Sequence, residues 1–275
     1  MSNSKVNDKN ERFIFSQNGK LFEFHHQGED ELILSRQELL LYNLAYSCQY
    51  YLGVLDGERV FLLIGDKNQG TEEHLVPKEA HLRSWLNKST CDQYFSVLSR
   101  AAQLATWHSQ HCFCPRCATA LEAHETDHAK VCPSCELAQY PRISPCVIML
   151  VVDGDRCLLA HGVRHKEKMY STLAGFIEAG ESAESAVIRE VKEEVGVDVG
   201  SPTYQFSQSW PFPHSFMIGF IAPYLGGEIV IDESEITDAQ WFTREQLLEE
   251  REDFAIPPTF TIARKLIDLF LDGKA

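Results

Sequence analysis

The tightest constraint on this chain is the run GFIEAGESAESAVIREVKEEVGV at residues 175–197. Glu190, Glu193 and Glu194 fall at i, i+3 and i+4, so a helix places all three on one face. Ala183, Val187, Val191 and Val195 step by four along another face, which can bury in a core. Gly196 suits the C-terminal end of that helix. Gly175 and Gly180 permit a tight loop before it that approaches a ligand closely. The spacing therefore predicts a glycine-bearing loop and then a helix from about Ser182 to Val195. A charge run on a helix is ordinarily a solvated face. Three clustered carboxylates repel one another, however, unless cations sit among them, and hard divalent ions such as Mg2+ or Mn2+ take oxygen ligands.

Around this run, residues 140–275 read as one large domain. Strands are expected over 146–152 and 156–161, joined across an Asp153-Gly154-Asp155 turn. Further strands are expected over 216–224 and 228–231 around Gly226-Gly227. A helix starts near Thr243, and another over about 258–271 shows helical spacing at Ile262, Leu266, Ile267 and Phe270. Residues 1–108 read as a small α+β domain without a chemical motif. Short strands at 13–15 and 20–24 flank a Gly19 turn, another lies at 60–64, and a helix spans about 84–108.

Residues 109–139 differ in texture, dense in Cys, His and Pro with little apolar periodicity, and cannot build a core of their own. They hold two CxxC pairs, Cys114/Cys117 and Cys132/Cys135, with fourteen residues between. Four thiolates close a tetrahedral shell around Zn2+ and leave no open position, so the site is structural and helps fold the segment. A redox dithiol is the rival reading, and two matched pairs weigh against it. Arg116 and Lys130 are offset by Glu122, Glu125 and Asp127, which weakens a nucleic-acid role for this segment alone. Cys146 and Cys157 sit in apolar strand-like runs, and no short-period repeat is evident.

With 25 basic and 40 acidic residues in 275, the net charge of −15 argues against a generic electrostatic binder of nucleic acid or anionic membranes. The longest strongly apolar run, residues 147–152, is far too short to span a bilayer. The opening MSNSKVNDKNER has no apolar signal core, so cytosolic (cytoplasmic) residence is expected.

The 175–197 run resembles the Nudix box, GX5EX7REUXEEXGU, at every defined position. The resemblance implies a Nudix α/β/α sandwich and hydrolysis of a nucleoside diphosphate linked to another moiety, with divalent metals. By that resemblance Glu190, Glu193 and Glu194 are metal ligands, Arg189 orients them, and one glutamate, Glu194 in this reading, also polarises the attacking water. Downstream, Ser207-Gln-Ser-Trp-Pro-Phe-Pro-His-Ser215 is ordinarily a packed loop when taken alone. It is similar to the SQPWPFPxS signature of the NADH pyrophosphatase (NudC-like) family, with Ser209 in place of a proline. The order N-terminal domain (1–108), four-cysteine zinc ribbon (109–139), Nudix domain (140–275) matches that family too, as does Tyr140-Pro-Arg-Ile-Ser-Pro145 at the junction. The resemblance implies that Phe176, after Gly175, and Trp210 flank a nicotinamide ring, with Trp210 supplied by a partner subunit in a homodimer. It makes Glu235 a further metal ligand, and Tyr140, Gln208 and Gly175 substrate-binding candidates. The implied reaction is hydrolysis of NADH or NAD+ to nicotinamide mononucleotide and AMP, with removal of the NAD cap from RNA as a second activity. The alternatives are a Nudix hydrolase acting on ADP-ribose or dinucleoside polyphosphates, which the aromatic motif disfavours, and a non-catalytic sensor or RNA-binding protein on the same scaffold, which the intact glutamates disfavour.

Overall fold

The structure is a computed structural model that describes residues 10–26, 28–65, 77–88, 91–163, 168–249 and 255–275. The chain divides into two compact units, Met1–Arg142 with Pro211–His214, and Ile143–Trp210 with Ser215–Ala275.

In the first unit, β1 (Glu11–Gln17) and β2 (Lys20–His26) form a hairpin, as do β3 (Tyr46–Leu55) and β4 (Glu58–Gly65). Each hairpin turns on a pair of residues with positive φ, Asn18-Gly19 and Asp56-Gly57, the conformation whose twist matches that of the strands. β1 and β4 pair in parallel at the centre of the sheet. The edge strand β3 was not legible in sequence. Its register shifts twice, and its exposed positions break the period-two pattern. In place of the single helix expected over 84–108 the described residues show Leu82–Leu86, which ends at Asn87, and α1 (Asp92–Gln110), which starts after Cys91.

The cysteine segment carries three two-residue strands, Glu122–Ala123, Lys130–Val131 and Ala138–Gln139. Its two knuckles repeat one hydrogen-bond pattern. The amide of Cys114 bonds the carbonyl of Thr119 and that of Ala118 bonds Cys114, while Cys132, Leu137 and Glu136 repeat both bonds at the same spacing. Ala118 and Glu136, at φ +59° and +58°, complete the match. This internal repeat lies in the backbone, so side-chain periodicity does not show it.

In the second unit, β5 (Ser144–Asp153) lies at the centre. β9 (Ser215–Gly226) pairs with it in parallel on one side. On the other side β7 (Leu173–Phe176) pairs with its first half and β6 (Arg156–Gly162) with its end. β8 (Thr203–Trp210) lies outside β9, and β10 (Ile236–Thr243) outside β6. Alternation along β5 makes two cores. Cys146, Ile148 and Leu150 pack toward α3 (Ile262–Leu271), while Val147, Met149 and Val151 pack toward α2 (Ala183–Val195). The result is the α/β/α sandwich expected.

Three sequence expectations change. Residues 228–231 form no strand, because Gly226 and Gly227 (φ +159° and +99°) end β9. The segment runs beside the end of α2 instead, where the amides of Val230 and Asp232 bond the helix carbonyls of Val195 and Glu194. The SQSWPFPHS stretch is not a loop through most of its length, since its first half lies in β8. The last helix begins at Ile262, capped by the Thr261 hydroxyl, about four residues later than the start expected near 258 and in step with its apolar spacing.

Candidate active site and zinc ribbon

α2 starts where the Ser182 hydroxyl accepts from the Ser185 amide and ends at Gly196 in the left-handed conformation. Val187, Val191 and Val195 are fully buried, which fixes the rotation of the helix and hence of its acidic face. Gly180, at φ +87°, turns the loop before it. Gly175 is required for a different reason. A Cβ there would lie 1.8 Å from Cδ of Glu190, so the carboxyl group lies against bare backbone.

Arg189 organises this face. Its Nε and Nη2 donate to the two carboxylate oxygens of Glu181 at 2.8 and 2.9 Å. Nη1 donates to Glu190 and Glu193, both at 2.9 Å, and Nη2 to the Phe176 carbonyl at 3.0 Å. All five donors of the guanidinium are thereby engaged. Hydrogen bonds from Arg189 and from the Glu178 amide hold Glu181 down at a pKa of about 2. Glu181 stands in the motif as read from sequence, but its bidentate hold on Arg189 was not assigned there. The signal was its charge, opposite to that of Arg189, just ahead of the helix start.

Glu194 differs from its neighbours. It is 6% exposed, and its Oε2 is buried without a hydrogen-bond partner. Burial, reinforced by the charges of Glu190, Glu235, Asp232 and Glu193, pushes its pKa up to about 8. Burial also raises Glu190, against the pull of Arg189. An orphaned buried carboxylate oxygen amid four other carboxylates, with oxygen donors only, fits a hard divalent cation. Glu235 lies on a turn tied to the helix end, since its amide bonds the Asp232 carbonyl and the Asp232 amide bonds the carbonyl of Glu194.

The aromatic candidates are separated. Phe176 lies opposite Cys146 and its ring is 57% exposed. Trp210 lies opposite Ser215, its ring stacked on Phe260 with centroids 6.4 Å apart. Both sit on the α3 side of the sheet, on β7 and β8, with β5 and β9 between them and two residues out of step, about 16 Å apart by strand spacing and rise. Gln208 has a structural task, donating to the Phe260 carbonyl and accepting from the Ile262 amide, each at 2.8 Å, so that it pins the start of α3 to β8. Tyr140 is exposed in the first unit, just beyond the strand Ala138–Gln139.

In the ribbon, the Sγ atoms of Cys114, Cys117, Cys132 and Cys135 all lie within 4.8 Å of one another. The Cys114–Cys135, Cys117–Cys132 and Cys117–Cys135 separations are 3.6, 3.4 and 3.7 Å. A tetrahedron with metal–sulfur bonds of about 2.3 Å has edges of about 3.8 Å, so the four thiols fit Zn2+. Hydrogen bonds from Thr119 bring Cys117 down to a pKa of about 6, which favours the thiolate that a metal needs. Lys130 is buried and donates to the carbonyls of His108 and His111, at 2.7 and 2.9 Å, at the end of α1. It therefore secures the ribbon to that helix and presents no charge to a polyanion. Among the described residues no helix is long and apolar enough to cross a membrane.

Comparison with known proteins gives the family. A family model described as NUDIX domain matches residues 142–261, and one described as NADH pyrophosphatase zinc ribbon domain matches residues 109–140. The chain is 43% identical over 251 residues to the NAD-capped RNA hydrolase NudC of Pseudomonas aeruginosa, covering 90% of this chain and 86% of that protein. It is 45% identical over 226 residues to the protein of that name from Stutzerimonas stutzeri, covering 80% and 76%. Against that of Pseudomonas fluorescens it is 42% identical over 261 residues, covering 95% and 87%.

Proposed function

The chain belongs to the NudC-like family of Nudix hydrolases with an NADH pyrophosphatase zinc ribbon, and from that premise we propose that it hydrolyses the pyrophosphate bond of NADH and NAD+ to nicotinamide mononucleotide and AMP and removes the NAD cap from RNA. One observation carries the reading beyond similarity. Glu194 is buried with an unpartnered carboxylate oxygen, its pKa raised by the charges of Glu190, Glu235 and Glu193, a set whose repulsion a divalent cation would relieve.

We assign Mg2+ or Mn2+ to Glu190, Glu193, Glu194 and Glu235. When bound, such ions neutralise pyrophosphate oxygens and lower the pKa of a bound water. The protein does the rest. Glu181 holds Arg189, Arg189 holds Glu190 and Glu193, and Gly175 leaves room for the Glu190 carboxyl. Glu194 would act on the attacking water through the bound ion, with its carboxylate held at the metal by its buried position at the end of the acidic face. Arg189 touches the Glu190 and Glu193 carboxylates and Glu181 touches Arg189, so both act by positioning.

The reading includes a homodimer with shared sites. Two rings that flank a third stand roughly 7 Å apart, about twice the carbon–carbon contact distance. Side chains stand roughly perpendicular to a sheet, so Phe176 and Trp210 of one chain remain near their backbone separation of about 16 Å, too far to sandwich one nicotinamide. A Trp210 from a second copy resolves this. The three-part division at 1–108, 109–139 and 140–275 and cytoplasmic residence belong to the same proposal. The spans of the two family matches support the former, and nine cysteines without a disulfide support the latter.

The test is a panel of NADH, NAD+, ADP-ribose, a diadenosine polyphosphate and NAD-capped RNA with Mg2+ or Mn2+, the products being identified by mass. Nicotinamide mononucleotide with AMP is expected from the first two, and nicotinamide mononucleotide with 5′-monophosphate RNA from the last. Preferential cleavage of ADP-ribose or the polyphosphate would overturn the assignment of substrate.

A further inference from the structure

From the sheet register we infer that Phe216 is the stacking platform for the second base of a dinucleotide whose diphosphate lies at the carboxylates, the purine on the AMP side. The inference rests on the hydrolase reading above, because it takes the diphosphate to lie at Glu190 and Glu194.

The register places the ring. Pro145 of β5 lies beside Phe216 of β9, and Ser209 of β8 lies on the other flank of Phe216. Val147, two residues along β5, lies beside Gly175 of β7 and packs on the α2 side. By alternation Gly175, Pro145, Phe216 and Ser209 all belong to the α2 face of the sheet, the face that carries the glutamates. Phe176 and Trp210 belong to the opposite face. At the end of the sheet where β5 and β9 begin, one exposed aromatic therefore stands on the carboxylate side and two stand on the other.

The spacing suits a nucleotide. Gly175, against which the Glu190 carboxyl rests, is two strands across and two residues along from Phe216, about 12 Å by strand spacing and rise. A base, its ribose and a phosphate bridge that distance. Phe216 is 36% exposed near the start of its strand, flanked by the small residues Pro145 and Ser209. An aromatic face stacks on a purine, and free NAD and an NAD-capped RNA present the same adenine there, so one platform serves both. With nicotinamide on the α3 side and the purine on the α2 side, the diphosphate is drawn over the sheet end between them.

The experiment is calorimetric binding of AMP and of nicotinamide mononucleotide, each with Mg2+, to the full-length chain and to Phe216→Ala, Phe216→Leu and Phe216→Trp. Phe216→Ala and Phe216→Leu are expected to weaken AMP about tenfold and to leave nicotinamide mononucleotide within about twofold, while Phe216→Trp retains AMP. Unchanged AMP affinity in Phe216→Leu, or equal weakening of both nucleotides, would overturn the assignment. Phe216→Leu keeps the apolar volume, so the Leu and Trp variants decide the question if the alanine variant fails to fold. Binding is read without turnover. A wild-type chain that binds AMP in this way yet leaves NADH intact would refute the hydrolase reading and not the platform.

Discussion

Gly175 shows how a single absent atom shapes a site. Alanine there would put a Cβ 1.8 Å from the Glu190 carboxyl carbon, so Gly175→Ala must swing that carboxyl out of place. We expect kcat/KM for NADH to fall at least about tenfold and the Mg2+ concentration for half-maximal rate to rise, with the melting temperature little changed; a metal titration of rate reads both. Glu194 makes a second residue-scale prediction. Its ordinary pKa is 4.5, and burial holds it at about 8 in the fold without metal. Between those values the folded chain keeps a proton that the unfolded chain has released, so stability without added Mg2+ falls as pH rises from about 5 to about 8. Glu194→Gln should flatten that slope in thermal melts while cutting turnover by orders of magnitude. A steep slope retained in the glutamine variant would assign that titration to another group, and near-normal turnover would remove Glu194 from the metal site.

At the scale of elements, the two knuckles share one shell, and neither alone supplies enough thiolates to close it. Cys117→Ser is expected to lose zinc and lower the melting temperature, and unchanged zinc stoichiometry would count against a structural ribbon. Ala118 sits at φ +59°, where a side chain costs roughly 1 kcal/mol that glycine avoids. Ala118→Gly is therefore expected to raise the denaturant midpoint of the zinc-loaded chain at unchanged zinc content. These elements differ in how openly the sequence declares them. α2 was legible to its caps, because Ser182, the valine stripe and Gly196 all point to the same boundaries. The four zinc ligands were legible from spacing alone. β8 was hidden because a strand that carries Trp210 and precedes two prolines reads as loop, and the false strand at 228–231 arose because Ile229 and Ile231 pack beside a helix end rather than in a sheet, while Val230 is exposed. The role of Gln208 was hidden for a deeper reason. Its partners, Phe260 and Ile262, lie some fifty residues away, and no local pattern announces a tertiary hydrogen bond.

Taken whole, the molecule carries a charge of −15 and, on our reading, handles anions. Bound divalent ions can invert the field at the carboxylates, but the rest of the surface still repels RNA. Cleavage of NAD-capped RNA should therefore lack the steep loss of kcat/KM with salt typical of proteins that neutralise many phosphates, and a salt titration from about 50 to 200 mM measures this directly. A steep decline would reveal an extended basic track. The parallel pairing of β5 with β9 has its own consequence, in the order in which the chain is made. β5 is an apolar ribbon whose hydrogen-bonding partner, β9, follows it by about 70 residues. At a synthesis rate of about 5–20 residues per second, one flank of β5 stays unpaired for several seconds after it leaves the ribosome. That interval is when the nascent protein is most open to mispairing and to capture by chaperones, and it closes only when the segment beyond Trp210 arrives.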